Sequence, residues 1–405
     1  MVCLTTLCGR HCYNRNRRSG SRCILPRLLL LVLLPLLHRG SPAVAQNARL
    51  HDLRLHQIQL IGTHNSYHIA PHKSVGELIR LAGPSVLQAI EYSHKPLPEQ
   101  LQQLQIRQLE LDLFADPDGG LFAKPLARNL LTAGHQDPGP DPNADGSLSQ
   151  PGIKVLHAAG FDYATNVTTL QLALQQIRQW SRTAPHHLPV MILLELKESV
   201  PNPPGVRLVP WDATRIKELD QLILEIFPPA TRLIPADLRQ PADPSVRDAV
   251  RKRGWPPLQD LQGKVFFCLD NEGTWVRRYL DAQPQPEQAP LFVSADTSHP
   301  LAAWFKRNDP VTQFDEIQNL AKQGFLIRTR ADADTTQARA NDSTRREKAF
   351  ASGAQYISTD FPEPVATFSD YCVRWPDQAP ARISPLFPSI TLKPAASDWE
   401  AATEP

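Results

Sequence analysis

RQLELDLFADPDGG, residues 107–120, is the stretch on which the fold turns. It opens inside the strand-like run 106–114, where Leu109, Leu111 and Leu113 alternate with Glu110 and Asp112. Side chains of a strand repeat with period two, so the two carboxylates share one face. An acidic Pro-Asp-Gly turn follows at 117–119. On a half-exposed strand these carboxylates would simply face water. On a strand covered from both sides they must be paired, bound to a metal or used in chemistry.

Working outward, the chain repeats the theme. Strand-like runs fall at 58–63, 106–114, 154–157, 190–197, 264–270, 291–295, 325–330 and 356–360. Between several of them lie amphipathic helical patterns, at 168–181, 214–227 and 314–323. Strands alternating with helices imply parallel strands, and eight of them predict an α/β fold of the (β/α)8 TIM-barrel type. Residues 134–152 are dense in Gly, Pro, Asp and Asn and read as an excursion between the second and third strands. The Pro-rich stretch 376–405 is expected as a tail packed loosely on the barrel domain, which spans 46–375.

In such a barrel the carboxyl ends of the strands carry the active site. Strand one ends in His64 and Asn65, and strand two carries Glu110 and Asp112. His157 closes strand three, Glu195 and Lys197 sit on strand four, and Asp270 ends strand five. Arg328 and Arg330 share a face of strand seven, and Asp360 ends strand eight. One exposed strand explains one alternating charged pair. Charges on five strands that are covered from both sides call for a site.

The donor types narrow the chemistry. Carboxylates with an Asn carboxamide form an all-oxygen set suited to a hard cation such as calcium. His64 and His157 are a titratable pair for proton transfer. Histidines, a hard cation and nearby basic groups suit attack on a phosphodiester. His68, four residues after His64, invites a metal-clamp reading, but that motif belongs on a helix with Glu after the first His. Here the run before His64 is strand-like, and His68 is expected to be structural.

At this point the chain resembles a family. GTHNSYH (62–68), RQLELDLFADPDGG, VLHAAG (155–160) and LPVMILLELKE (188–198) are similar, in order and spacing, to the catalytic barrel of calcium-dependent phosphoinositide-specific phospholipase C. LIRTRADADT (326–335) and ARANDSTRREKAFASGAQYISTDFPEP (338–364) look like the secreted bacterial subgroup. The resemblance covers roughly residues 55–372. It implies a calcium-dependent phosphodiesterase that cleaves phosphatidylinositol-type lipids to diacylglycerol and a cyclic inositol phosphate. It also implies His64 and His157 as catalytic histidines, and Asn65, Glu110, Asp112 and Glu195 as calcium ligands. His157 would serve as general acid, and His64 or a carboxylate such as Glu110 as base.

Beyond the resemblance, strand eight adjoins strand one in a closed barrel, so Asp360 is expected to orient His64 or to cap its own turn. Lys197, Arg328 and Arg330 are candidates for phosphate or inositol contacts, with one arginine expected to pair with Asp332 or Asp334. Asp270 has no sharp role. A competing enzyme reading is a glycerophosphodiester phosphodiesterase, although such barrels carry His-Arg-Gly where this chain has His-Asn-Ser. A different class is a non-catalytic lipid-surface barrel.

Residues 1–45 hold seven arginines, no acidic residue, the apolar run 28–37 and an Ala-Val-Ala ending, and so read as a secretory signal peptide cleaved near Ala45. The remainder has 36 basic and 41 acidic residues, a net charge of −5, and offers no footprint for nucleic acid. A secreted monomer acting on lipid at a membrane surface is expected. Only Cys268 and Cys372 remain, either paired or free. Trp211 and Trp255 are expected to pack rather than to enter a membrane.

Overall fold

The computed structural model describes residues 50–198 and 207–401. The expected leader lies outside them. Eleven strands occur among the described residues: β1 (Ile58–Thr63), β2 (Gln108–Asp116), β3 (Gly152–Val155), β4 (Val190–Leu196), β5 (Arg232–Leu233), β6 (Val265–Leu269), β7 (Leu291–Val293), β8 (Trp304–Lys306), β9 (Leu326–Arg330), β10 (Tyr356–Thr359) and β11 (Ala381–Ile383). Eight of them form a parallel ladder in the order β7–β6–β4–β2–β1–β10–β9–β8.

The ladder curls on itself. Phe266 of β6 and Tyr356 of β10 are four strands apart, yet their rings meet at 6.0 Å. Phe266 also meets Phe292 at 5.8 Å and Trp255 at 5.3 Å, so the lumen is packed with side chains, as barrels of this class require. Between β7 and β8 no backbone ladder forms among the described residues. There the Ser294 hydroxyl accepts a hydrogen bond from the Lys306 amide at 3.2 Å, bridging the seam.

Two expectations about strands need correction. The third expected strand is not a barrel stave: β3 runs antiparallel to the protruding end of β2, with Leu113 opposite Val155 and Asp116 opposite Gly152. β2 is nine residues long and extends past its neighbours, so the long excursion returns onto its free end. The place in the barrel falls instead to β8, whose three residues are too few to show a period.

The three expected helices form with small shifts, and the first two start on side-chain caps. The Thr169 hydroxyl accepts from the Leu172 amide ahead of the helix Leu170–Thr183, and Asp212 accepts from Arg215 ahead of Ala213–Ile226.

The Pro-rich tail is not loose. β11 pairs antiparallel with β1, and Trp399 is buried. Glu400 receives Arg107 at 2.7 and 2.6 Å and also accepts from the Leu188 amide at 2.7 Å. Arg107 and Leu188 stand just before β2 and β4, so this segment closes the end of the barrel opposite the strand carboxyl termini. Trp211 and Trp255 are fully buried, which excludes them from membrane insertion. Cys268 and Cys372 are free thiols. No described helix is long and apolar enough to cross a membrane.

Candidate active site

The strand carboxyl ends gather the charged residues at one mouth. β2 is covered on both faces, and its alternation sends Glu110 and Asp112 to the same side, where they are 2% and 0% exposed. β4 lies in register beside it, with Asp112 opposite Glu195. Glu110, Glu195 and Asp270 each bring a carboxylate oxygen within 4.8 Å of the others. Asp112 joins them through Lys197, whose Nζ lies 3.0 Å from both Asp112 Oδ2 and Glu195 Oε1. Asn65 sits at the turn out of β1 with φ of 44°, a left-handed conformation that Asn tolerates better than most residues.

Cations of the chain itself balance part of this acidity. Arg328, fully buried, pairs with Glu110, and Lys306 at the end of β8 donates to Asp270 at 2.7 Å. Burial still pushes Glu110 up to about 8, against the pull of Arg328. Burial and the charge of Asp112 push Glu195 up to about 7, against Lys197.

Some donors stay unanswered. Asn65 Oδ1, Asp112 Oδ1 and Asp270 Oδ1 are buried without a hydrogen-bond partner among the described residues. Buried polar atoms left this way are costly and point to a missing ligand. All three are hard oxygen donors, beside carboxylates whose neutralisation is incomplete, and that is the donor chemistry calcium takes. The site fits the cation.

The histidines flank this cluster. His64 follows β1, and its Nδ1 lies 2.8 Å from Asp360 Oδ1, at the end of the neighbouring β10. Its Nε2 faces Arg330 Nη1 at 3.4 Å and Glu110 Oε1 at 3.7 Å. Burial and the adjacent Arg330 push His64 down to about 3, despite Asp360. Arg330 in turn holds Asp360 Oδ2 at 2.9 Å. Thus Arg330 pairs with Asp360 and Arg328 with Glu110; the pairing expected with Asp332 or Asp334 is not formed. Asp332 instead accepts from the Thr359 hydroxyl and the Asp360 amide.

His157 lies two residues past β3, with Nδ1 2.6 Å from Asp162 Oδ2. Burial acts to lower its pKa, but the hydrogen bond and charge of Asp162, with Asp112, more than offset this and raise it. Sequence reasoning missed Asp162, Lys306 and Tyr92, whose hydroxyl lies 3.4 Å from His64 Nδ1, and left Asp270 without a role. Asp270 is legible as the carboxylate ending its strand, but its partner Lys306 is not. Loop residues such as Asp162 carry no periodic signal.

The residue pattern 53–385 matches the family model described as phosphoinositide phospholipase C, Ca2+-dependent. The chain belongs to this family. It is therefore a calcium-dependent phosphodiesterase of the phosphoinositide phospholipase C type, not a non-catalytic barrel. Among solved structures, it is similar to a calcium-dependent phosphoinositol-specific phospholipase C from Pseudomonas sp., at 15% identity over 82% of this chain and 96% of that one, with a TM-score of 0.48. A calcium-dependent phosphatidylinositol-specific phospholipase C from Streptomyces antibioticus gives 17% identity, 76% and 95% coverage and 0.45. The phosphatidylinositol-specific enzyme from Listeria monocytogenes gives 14%, 79% and 94%, and 0.43. No curated protein sequence matches the chain.

Proposed function

We propose that this phospholipase C cleaves phosphatidylinositol-type lipids at a membrane surface, releasing diacylglycerol and a cyclic inositol phosphate, with His64 and His157 moving the protons. One observation carries the reading. Two histidines on different loops each have Nδ1 tied to a carboxylate, at 2.8 Å to Asp360 and 2.6 Å to Asp162, on either side of an incompletely neutralised carboxylate cluster.

The roles follow from the hydrogen bonds. A carboxylate only accepts, so each Nδ1 carries a proton. Nε2 of His157 is left for substrate, and Nε2 of His64 faces the Arg330 guanidinium at 3.4 Å, where a phosphoryl group would meet both. His64, held neutral by burial and Arg330, offers a lone pair to the attacking inositol hydroxyl or to a phosphoryl OH. Glu110, whose Oε1 lies 3.7 Å from His64 Nε2, can share that proton. His157 keeps its proton more readily and donates it to the departing glycerol oxygen, then serves as base for water if the ring is opened.

Asn65, Glu110, Asp112 and Glu195, with Asp270 beside them, would hold calcium. Bound there, the cation supplies charge stabilisation to the phosphoryl oxygens. Lys197 and Arg330 border the same mouth and suit phosphate or inositol hydroxyl contacts, whereas Arg328 is engaged by Glu110 and Asn308. Its contribution is to place Glu110.

The chain acts as an exported monomer docking peripherally on lipid, without nucleic acid, in line with the signal-peptide composition of residues 1–45 and the net charge of −5 over residues 46–405. Phosphorus NMR of phosphatidylinositol vesicles treated with the protein tests the reading. A cyclic phosphodiester signal is expected. Hydrolysis confined to soluble glycerophosphodiesters would overturn it.

A further inference from the structure

His68 has no part in the chemistry just described, yet it is completely buried beside it. Its Nδ1 lies 3.0 Å from the carbonyl oxygen of Tyr92, and its Nε2 lies 3.0 Å from both carboxylate oxygens of Asp162. A carbonyl can only accept, and Asp162 already accepts from His157. Both ring nitrogens of His68 therefore donate.

The surroundings make this pair a junction. His68 sits on the loop that carries His64 and Asn65; Asp162 sits on the loop that carries His157. The two loops are joined by backbone bonds, from the Asn166 amide to Tyr67 O at 2.8 Å and from Ile69 to Ala164 O at 3.3 Å. Among the described residues, His68 and Asp162 add the buried side-chain link between the two loops that reaches a catalytic ring. Tyr92 completes the chain of rings, 4.5 Å from His68 and 6.3 Å from His64, with His157 5.9 Å beyond His68.

We infer that His68 is a positioning residue: through Asp162 it sets the orientation of His157, and it fixes the loop bearing His157 to the loop bearing His64. The inference rests on the roles proposed for those two histidines. Asp162 accepts the Nδ1 proton of His157 and so turns Nε2 towards substrate. On its other side His68 holds the carboxylate still. Without His68, Asp162 would be a buried carboxylate with one partner, free to rotate away.

The same three side chains bring ligand-type atoms within 4.8 Å of one another, but they do not fit a metal. Asp162 Oδ2 and His157 Nδ1 are 2.6 Å apart, whereas neighbouring ligands on a tetrahedral zinc, each at about 2.0–2.1 Å, stand roughly 3.3 Å apart. The distance is that of a charge-assisted hydrogen bond.

Two measurements on the whole chain test the inference. Nitrogen-15 NMR of histidine-labelled protein is expected to show two ring N–H groups on His68 and an Nδ1–H on His157 that is lost in Asp162→Asn. A single N–H on His68 overturns the inference, whether or not the protein turns over lipid. In kinetics on phosphatidylinositol vesicles, His68→Gln is expected to lower kcat about tenfold, with KM and calcium affinity within about twofold of the parent. The double variant His68→Gln/Asp162→Asn should be no slower than Asp162→Asn alone. An unchanged kcat, or losses that multiply, overturns it. If His68→Gln does not fold, the NMR result and Asp162→Asn still decide. Absence of turnover in the parent protein would sink the catalytic reading instead, leaving the NMR arm to judge the junction.

Discussion

Lys197 Nζ stands 3.0 Å from Oδ2 of Asp112, one of the carboxylates that are proposed to hold calcium. It stands as close to Glu195. A lysine ammonium there lends the carboxylates positive charge and repels a second cation. Like charges a few ångströms apart in a buried site interact strongly.

Lys197→Met should therefore tighten calcium binding, by about tenfold, while raising KM for phosphatidylinositol because a phosphate contact is lost. Isothermal titration of the whole chain with calcium reads the first effect and vesicle kinetics the second. Unchanged or weaker calcium binding would show that Lys197 and the cation do not compete.

The histidines and the metal donors should separate by mutation. His157→Ala is expected to abolish turnover, about a 1000-fold loss or more, with calcium affinity nearly intact. Asn65→Ala should weaken calcium binding first, and its turnover should recover when calcium is raised. Equal loss of calcium binding in both variants would make His157 a ligand.

The pH profile should reveal the partner of His157. As general acid, His157 must carry its proton, so kcat falls as pH rises through its pKa. Burial alone would lower that pKa, while Asp162 and Asp112 raise it. Asp162→Asn removes the largest raising influence and should move the alkaline limb of kcat to lower pH. A limb that stays put would mean that another group is the acid.

Much of this site is legible in the amino-acid sequence. Glu110 and Asp112 announce themselves because period-two alternation on a covered strand leaves them one place to go. The adjacency of Asp360 and His64 follows from closing a barrel, which brings the last strand against the first. Asp162 is hidden, since a carboxylate in an irregular loop has no period and its partner His68 lies 94 residues away in sequence. Lys306 is hidden with β8, whose three residues, Trp304–Lys306, are shorter than a pattern needs. The direction of β3 is also invisible, because a four-residue strand, Gly-Ile-Lys-Val, pairs equally well either way. Only the free end of β2 selects the antiparallel choice.

Away from the site, Asp220 is buried against Tyr279 and Gln283, at 3.1 and 2.6 Å. Burial pushes its pKa up to about 7, although both hydrogen bonds favour the ionised form. Its folded pKa thus lies above the unfolded value of about 3.9. The protonated form favours the fold, and that stability, full below pH ~4, declines as pH rises towards 7. Asp220→Asn should raise Tm relative to the parent more at pH 8 than at pH 5. Calorimetry at the two values checks this, and an equal difference at both would mean that Asp220 is ionised in the fold throughout.

The most direct measurement is the rate of phosphatidylinositol cleavage in vesicles as free calcium is varied with a chelator. Turnover should vanish on chelation, return with calcium in a saturable way, and saturate at higher calcium in Asn65→Ala. Full turnover in the chelator would overturn the assignment of Asn65, Glu110, Asp112 and Glu195 as the seat of the cation.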